Sequence, residues 1–467
     1  EKETGTAEQL MLTPLKRSEV VAAKMLPPFT VGMLSLGPSL GVLAWFGVPF
    51  RGSIALFVLA LVAHVLVEVW LSRRQVASVL RNRTTVPRAF ESAVSPEEHT
   101  KAADYSAARQ RLGNLETIYD AVVVLALTLG GGIAALGTFS GEIAGEGVAA
   151  GTLHILSVLA VLSLAGLPFS VYRTFVLEQR FGFNRTRPAT FVADLLKGWL
   201  LALVLGGAVA LAVLWIMGTA GPWWWVVGWL AWLGFALLAT WAWPRLIAPL
   251  FNRFTPLQDA ALRARIDALL ARCDFHAKAI YVMDGSRRSA HGNAYFTGLG
   301  REKRIVFFDT LLSSLGPVQV ESVLAHELAH FRLRHIPQRL AVGAVMSFAG
   351  FALLGWLSSR DWFYTALGVP APGNSAALLL FLLVTPAFTW VVSPVFAAWS
   401  RRHEYEADAF AARYSDAGAL SEALVTLYKD NATTLTPDPL YSAFHDSHPP
   451  PAARIERLRA LGAGAAP

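Results

Sequence analysis

The sequence predicts an α-helical polytopic membrane protein, with seven or eight transmembrane helices and a small α+β domain facing water. Three observations lead there. The chain of 467 residues is 54% hydrophobic and only 16% charged, with a mean hydropathy of +0.45, too apolar for an ordinary soluble protein. Apolar stretches of spanning length recur along it. One long polar region interrupts them, and its β-rich runs read unlike the rest.

A spanning helix needs about 20 mostly apolar residues. Residues 53–71, 119–139, 152–172, 191–217, 223–243, 340–357 and 376–399 meet that need. An eighth stretch, 29–50, is long enough but carries Gly32, Gly37, Pro38, Gly41 and Gly47. It reads as a further span or a broken, re-entrant segment. Trp223, Trp224, Trp225, Trp241 and Trp243 bracket one span, as interfacial aromatics do.

The loops alternate in charge. Arg73, Arg74, Arg81, Arg83, Arg88, Lys101, Arg109 and Arg111 follow the first clear span, whereas residues 140–151 hold no Lys or Arg. Arg173, Arg180, Arg185 and Arg187 fill the next loop, and residues 218–222 are again without basic groups. By the positive-inside rule the polar region and the tail both lie in the cytoplasm. The expected organisation is a cytoplasmic N-terminal segment (1–28), transmembrane helices with cytoplasmic loops (29–243), a cytoplasmic domain (244–338), two last spans (339–399) and the C-terminal part of that domain (400–467). No cleavable signal peptide is expected in residues 1–25, which are polar and mixed in charge. The net charge of +7 follows from basic cytoplasmic loops, so no nucleic-acid partner is expected. The single cysteine, Cys273, excludes a disulfide framework and any multi-cysteine metal site. An Ala- and Arg-rich chain with one Cys suggests a bacterial source, hence the inner (plasma) membrane.

In the polar region, residues 279–283, 293–298 and 304–309 are β-rich, and the last two are spaced as a hairpin. A helix begins after Gly316-Pro317, where Pro suits a first turn, and is expected to end near Pro337. It carries the stretch LAHELAHFRLRH, residues 324–335. A helix turns about 100° per residue, so His326 and His330 share a face and can share one ion, with Glu327 beside them. His335 falls about 180° from His326 on the same helix and reads as a polar residue near its end. The third ligand must then come from elsewhere. RRHEYEADAF, residues 401–410, offers Glu404, Glu406 and Asp408. Glu404 and Asp408 share a face, and Glu406 points away. Glu404 as ligand and Asp408 as acceptor for a ligand imidazole is the economical assignment; an ordinary charged helix start is the other. Two His and one Glu with an open position make a catalytic Zn2+ set, one ion per chain.

Several segments in order resemble the CAAX prenyl protease 1 family of integral-membrane zinc metalloendopeptidases. They are VWLSRRQ (69–75), EQRFGFN (178–184), PLFNRFTPL (249–257), NAYFTGLGREKRIVFFDTLL (293–312), HELAH (326–330), EYEADAF (404–410) and HPPPAARI (448–455). The first fifty residues depart from that family, which usually has seven spans. The resemblance implies transmembrane helices enclosing a water-filled chamber, with His326, His330 and Glu404 on zinc and Glu327 as catalytic base. It also implies catalytic roles for His448 and Arg454, and a substrate-binding role for Asn293. The run from Asn293 through Ala294 and Tyr295 can act as an edge strand that holds an extended peptide by main-chain hydrogen bonds. A hairpin strand in the domain core is the plainer reading. The partners implied are the bilayer and a peptide or protein substrate, lipidated or membrane-associated. His64, Glu68, His154, Asp194 and Lys197 would be costly facing lipid and fit either a wet chamber or helix packing. Quality control of membrane proteins is a rival role for the same chemistry. A transporter would leave HExxH and ExxxD unexplained, and a silent scaffold would not need complete catalytic residues.

Overall fold

Lipid offers a main chain no hydrogen-bond partner, so each apolar run must satisfy its own backbone as a helix. Residues 50–297 and 304–463 are described by a computed structural model of the chain. In chain order, α1 (Phe50–Arg81) is followed by α2 (Pro96–Leu127), α3 (Gly132–Ala144), α4 (Val148–Arg180), α5 (Pro188–Thr219) and α6 (Gly221–Phe251). A mixed α/β insertion follows: β1 (Phe254–Pro256), α7 (Ala260–Arg272), β2 (Ala279–Met283), β3 (Ala294–Thr297), β4 (Arg304–Phe308) and α8 (Pro317–Arg332). The chain returns through α9 (His335–Leu357) and α10 (Asn374–Tyr414), and ends in α11 (Ala417–Asp430), α12 (Pro439–His445) and α13 (Pro451–Ala463).

Among the described residues α1, α4, α5, α6, α9 and α10 are long and apolar enough to cross a membrane. The stretch 119–139, expected as one span, is two helices, α2 and α3, bent by 55°. Its break holds Gly130 and Gly131, Gly132 opens α3, and Gly131 takes φ 77°, which a side chain would resist. Counted as one broken span, the pair brings the number to seven. The expected segment 29–50 lies outside the described residues except for Phe50, which begins α1. With the pair counted as one span, the loops after α1, α4, α6 and α10 fall on one side of the membrane. The spans are unequally covered. Only 6% of the apolar stretch of α6 is buried, against 61% for α10, so α6 presents an open apolar flank while α10 runs through the middle.

The inserted domain has a four-stranded sheet in the order β1-β2-β4-β3. β2 and β4 are parallel; β1 and β3 pair antiparallel with them. The expected hairpin is β3–β4, and β3 is the outer strand of the sheet the described residues form. Ile305 and Phe307 of β4, Ile266 and Leu269 of α7, and Leu324 and Leu328 of α8 pack in one core with Leu420 of α11 and Ile455 and Leu458 of α13. The tail helix, from Pro451, is thus a structural member of a domain that begins at Phe254.

Two polar clamps tie this domain to the spans. Arg288 is buried; its Nε donates to Asp194 of α5 at 3.2 Å, its Nη1 to Asn252 Oδ1 at 2.9 Å and its Nη2 to the Phe251 carbonyl at 2.6 Å. Arg74 of α1 grips Asp438 with Nε and Nη2 at 3.2 and 3.0 Å, and Gln75 accepts from the Asp438 main-chain N–H at 2.7 Å. Asp438 caps α12, so the SRRQ run of α1 holds the start of that helix. Asp194 is therefore a packing partner. His154 is another, since its ring nitrogens meet Ser375 Oγ and the Ile133 carbonyl at 3.0 and 2.8 Å.

Candidate metal centre

α8 begins cleanly because Gly316 precedes Pro317 and Gln319 Oε1 accepts from the Gly316 N–H at 3.0 Å. It buries its histidine face against α10. His326 Nε2 lies 3.3 Å from Glu404 Oε2, and His330 Nε2 lies 3.5 Å from Glu404 Oε1. All three residues are buried. Ligand atoms ~2.1 Å from a tetrahedral ion stand ~3.4 Å apart, so these separations fit a shared ion. Two donor atoms, His330 Nε2 and Glu404 Oε2, have no hydrogen-bond partner among the described residues. Buried polar atoms left so are costly unless something else occupies the point they face. The donor set fits a metal.

Behind the three donors stands a charged scaffold. His326 Nδ1–H donates to Asp408 Oδ1 at 2.9 Å. Arg454, buried on α13, holds both Asp408 oxygens through Nε and Nη2 at 2.8 and 2.7 Å. Its Nη2 is also 3.6 Å from Glu404 Oε2. His448 Nε2 approaches the same Glu404 oxygen at 3.4 Å, and the ring is one-third exposed. Glu327 is half-buried beside His326.

The electrostatics suit a cation. Burial and Arg454 act to lower His326, but the bonds to Asp408 and Glu404 outweigh them and raise it to about 9. Positive charge is favoured where its Nε2 points. Burial holds His330 well below the usual histidine value, which keeps its lone pair available. Burial pushes the Glu327 carboxyl up to about 7, with the Glu404 charge adding to the rise and His326 opposing it. A carboxyl near neutrality can both take and return a proton.

The edge strand places its residues differently. Asn293 is buried; its carbonyl accepts from the Phe308 N–H at 2.9 Å and its Oδ1 from the Ala294 N–H at 2.7 Å. Ala294 is buried as well. The Tyr295 ring packs edge-on to Phe308, with its hydroxyl 4.0 Å from Met283 Sδ. That side chain is spent on the core, so what β3 offers a ligand is its outer main-chain edge.

One expectation fails. The motif helix ends at Arg332, short of Pro337, and Arg334 turns the chain with φ 60° before α9 begins at His335. His335 is therefore not on the far side of α8. It is buried against the site, its Nδ1 3.0 Å from His330 Nδ1 and its Nε2 3.0 Å from Glu406 Oε2. Residue spacing on one continuous helix could not find this contact. The available signal was Pro337, which suits the first turn of a new helix as well as the stop of an old one.

The fold and this site define a metallopeptidase built into a membrane. Residues 75–253 match the family described as CAAX prenyl protease N-terminal, five membrane helices, and residues 256–462 match Peptidase family M48. A CAAX prenyl protease 1 homolog of Arabidopsis thaliana is 32% identical over 89% of this chain and 98% of its own length. CAAX prenyl protease 1 of Saccharomyces cerevisiae is 36% identical over 66% of this chain and 73% of its own. The crystal structure of S. mikatae Ste24p superposes with a TM-score of 0.81 at 30% identity, covering 88% of this chain and 99% of that one. The chain belongs to the CAAX prenyl protease 1 family of M48 membrane metallopeptidases.

Proposed function

We propose that His326, His330 and Glu404 hold one zinc ion and that Glu327 is the general base of peptide-bond hydrolysis. The observation that carries this is the convergence of three buried donor atoms, two of them without hydrogen-bond partners, next to a carboxyl raised to about 7. Two imidazoles and a carboxylate are a catalytic zinc set. Bound zinc would polarise the scissile carbonyl and acidify water towards a pKa of about 7. Glu327 takes the proton of the attacking water and returns it to the leaving amine. His448, a donor beside Glu404, offers its Nε2–H to negative charge on the carbonyl oxygen. Asp408 fixes the His326 ring, and Arg454 fixes Asp408. The peptide lies extended along β3, bonded to the main chain from Asn293 through Ala294 to Tyr295.

The substrate is a peptide of a lipidated or membrane-associated protein, as the relatives' names suggest for prenylated CAAX chains. The basic loops support a cytoplasmic catalytic domain, and composition supports a bacterial inner membrane. Metal analysis of the purified chain tests the ligand set: Glu404→Ala should lose its zinc, and full occupancy would remove Glu404 from the site. Glu327→Gln should keep zinc and lose cleavage by about 10²–10⁴-fold. Reporter fusions at Gly300 and in the tail should report cytoplasm, and fusions at Glu146 and Pro370 the opposite side. Cleavage of a farnesylated peptide compared with its unlipidated twin decides whether the lipid matters.

A further inference from the structure

The His335, His403 and Glu406 cluster beside the site is close enough to suggest a second ion. Its geometry speaks otherwise. The His335 and His403 rings stack in parallel, 3.9 Å apart with 5° between their planes. Lone pairs of an imidazole lie in its plane, so those of two stacked rings run side by side and do not converge. Both His335 nitrogens are engaged already, one with His330 and one with Glu406.

The contact with His330 has a chemical consequence, which rests on the zinc reading above. If His330 binds through Nε2, its proton must sit on Nδ1, and a buried N–H needs an acceptor. The atom in reach is His335 Nδ1, at 3.0 Å. His335 then accepts there and carries its own proton on Nε2, which donates to Glu406 Oε2 at 3.0 Å. Glu406 is steadied by Arg402 Nε, also at 3.0 Å. The ring plane of His335 is held by the stack on His403, and His403 Nε2 meets Gln338 Oε1 at 3.1 Å. Each donor in this chain finds one acceptor, and only one pair of tautomers satisfies it.

We propose that His335 is a positioning residue for the metal ligand His330, fixing its tautomer and orientation through a hydrogen-bond chain that ends on Glu406. The helix break at Arg334 exists in this site to bring that ring round. His335→Asn keeps an acceptor oxygen near the place of Nδ1, whereas His335→Leu removes it at similar bulk.

The test uses the full chain in detergent, with Zn2+ affinity from chelator competition and the absorption spectrum of the Co2+-loaded protein. His335→Leu should weaken Zn2+ by about 10–100-fold and shift the Co2+ bands, with kcat falling more than KM rises. His335→Asn should recover most of the affinity. Glu406→Ala, a change at a partly exposed position, should fall between them and guards against a folding failure in His335→Leu. Unchanged affinity and spectrum in Glu406→Ala and His335→Leu would overturn the positioning role, as would an Asn variant no better than Leu. Glu404→Ala is measured alongside. If it keeps its zinc, the ligand assignment itself falls; if it loses zinc while the His335 and Glu406 variants stay normal, only the positioning role does.

Discussion

On the His326 flank of the metal centre, Nδ1 donates to Asp408, and Asp408 is clamped by Arg454 from the tail helix. Every member of that flank is buried. On the His330 flank, Nδ1 meets a second imidazole, His335, which in turn meets Glu406, a side chain 40% exposed. The two proposed ligands on one helix face are thus oriented by different means. The ionic flank joins three separate parts of the chain and cannot lose a member without stranding a charge in the interior. The imidazole flank drains its polarity to the surface through a single ring. The first should therefore govern folding and metal together, and the second metal alone.

The sharpest way to break this contrast is Asp408→Ala. It leaves buried Arg454 with only the longer 3.6 Å approach to Glu404, a change worth at most about 3–5 kcal/mol. Melting temperature in detergent and zinc competition should both fall, and an Asp408→Ala protein that melts like the parent would erase the distinction. Arg454→Ala leaves buried Asp408 with His326 as its remaining donor and should act in the same direction. Next in size is His448→Ala, which belongs to neither flank. It should slow peptide cleavage by about 10²–10³-fold, the scale of a lost oxyanion donor, while melting and zinc content stay near the parent values. Unchanged kinetics would return the HPPPAARI segment to a purely structural role. Glu406→Ala should come third, weakening zinc by at most about tenfold and leaving the melt in place. A lowered melt there would mean that the imidazole flank also carries fold stability. Smallest is Arg402→Ala. Its side chain is 78% exposed, and surface pairs of this kind contribute about 0–1 kcal/mol. Zinc affinity should hardly move, and a larger loss would make Arg402 a member of the chain rather than its rim.

Much of the candidate site is legible in the sequence because its signals are local. HExxH and ExxxD each place two groups four residues apart, and a helix converts that spacing into a shared face without help from the rest of the protein. The spans were readable for a related reason. Lipid forces any long apolar run into a helix whatever its neighbours do. Local pattern misleads where a helix breaks and a new one begins. Gly130, Gly131 and Gly132 split the expected span 119–139, and the Arg334 turn splits the helix expected to reach Pro337. In both places the apolar pattern resumes after the break, so periodicity alone runs through it.

The amino-acid sequence by itself determined which groups face one another at the candidate site and which segments are long and apolar enough to cross a membrane, since both follow from spacing along one helix or from the length of one apolar run. Only the tertiary structure decided that Arg74 and Gln75 hold Asp438, that Arg454 reaches Asp408, and that His335 turns back onto His330. The first two of these contacts join residues 363, 364 and 46 positions apart. Such pairs leave no period in the sequence, because they are set by how whole helix faces pack; the third crosses only five positions but depends on a backbone turn that no local pattern marks.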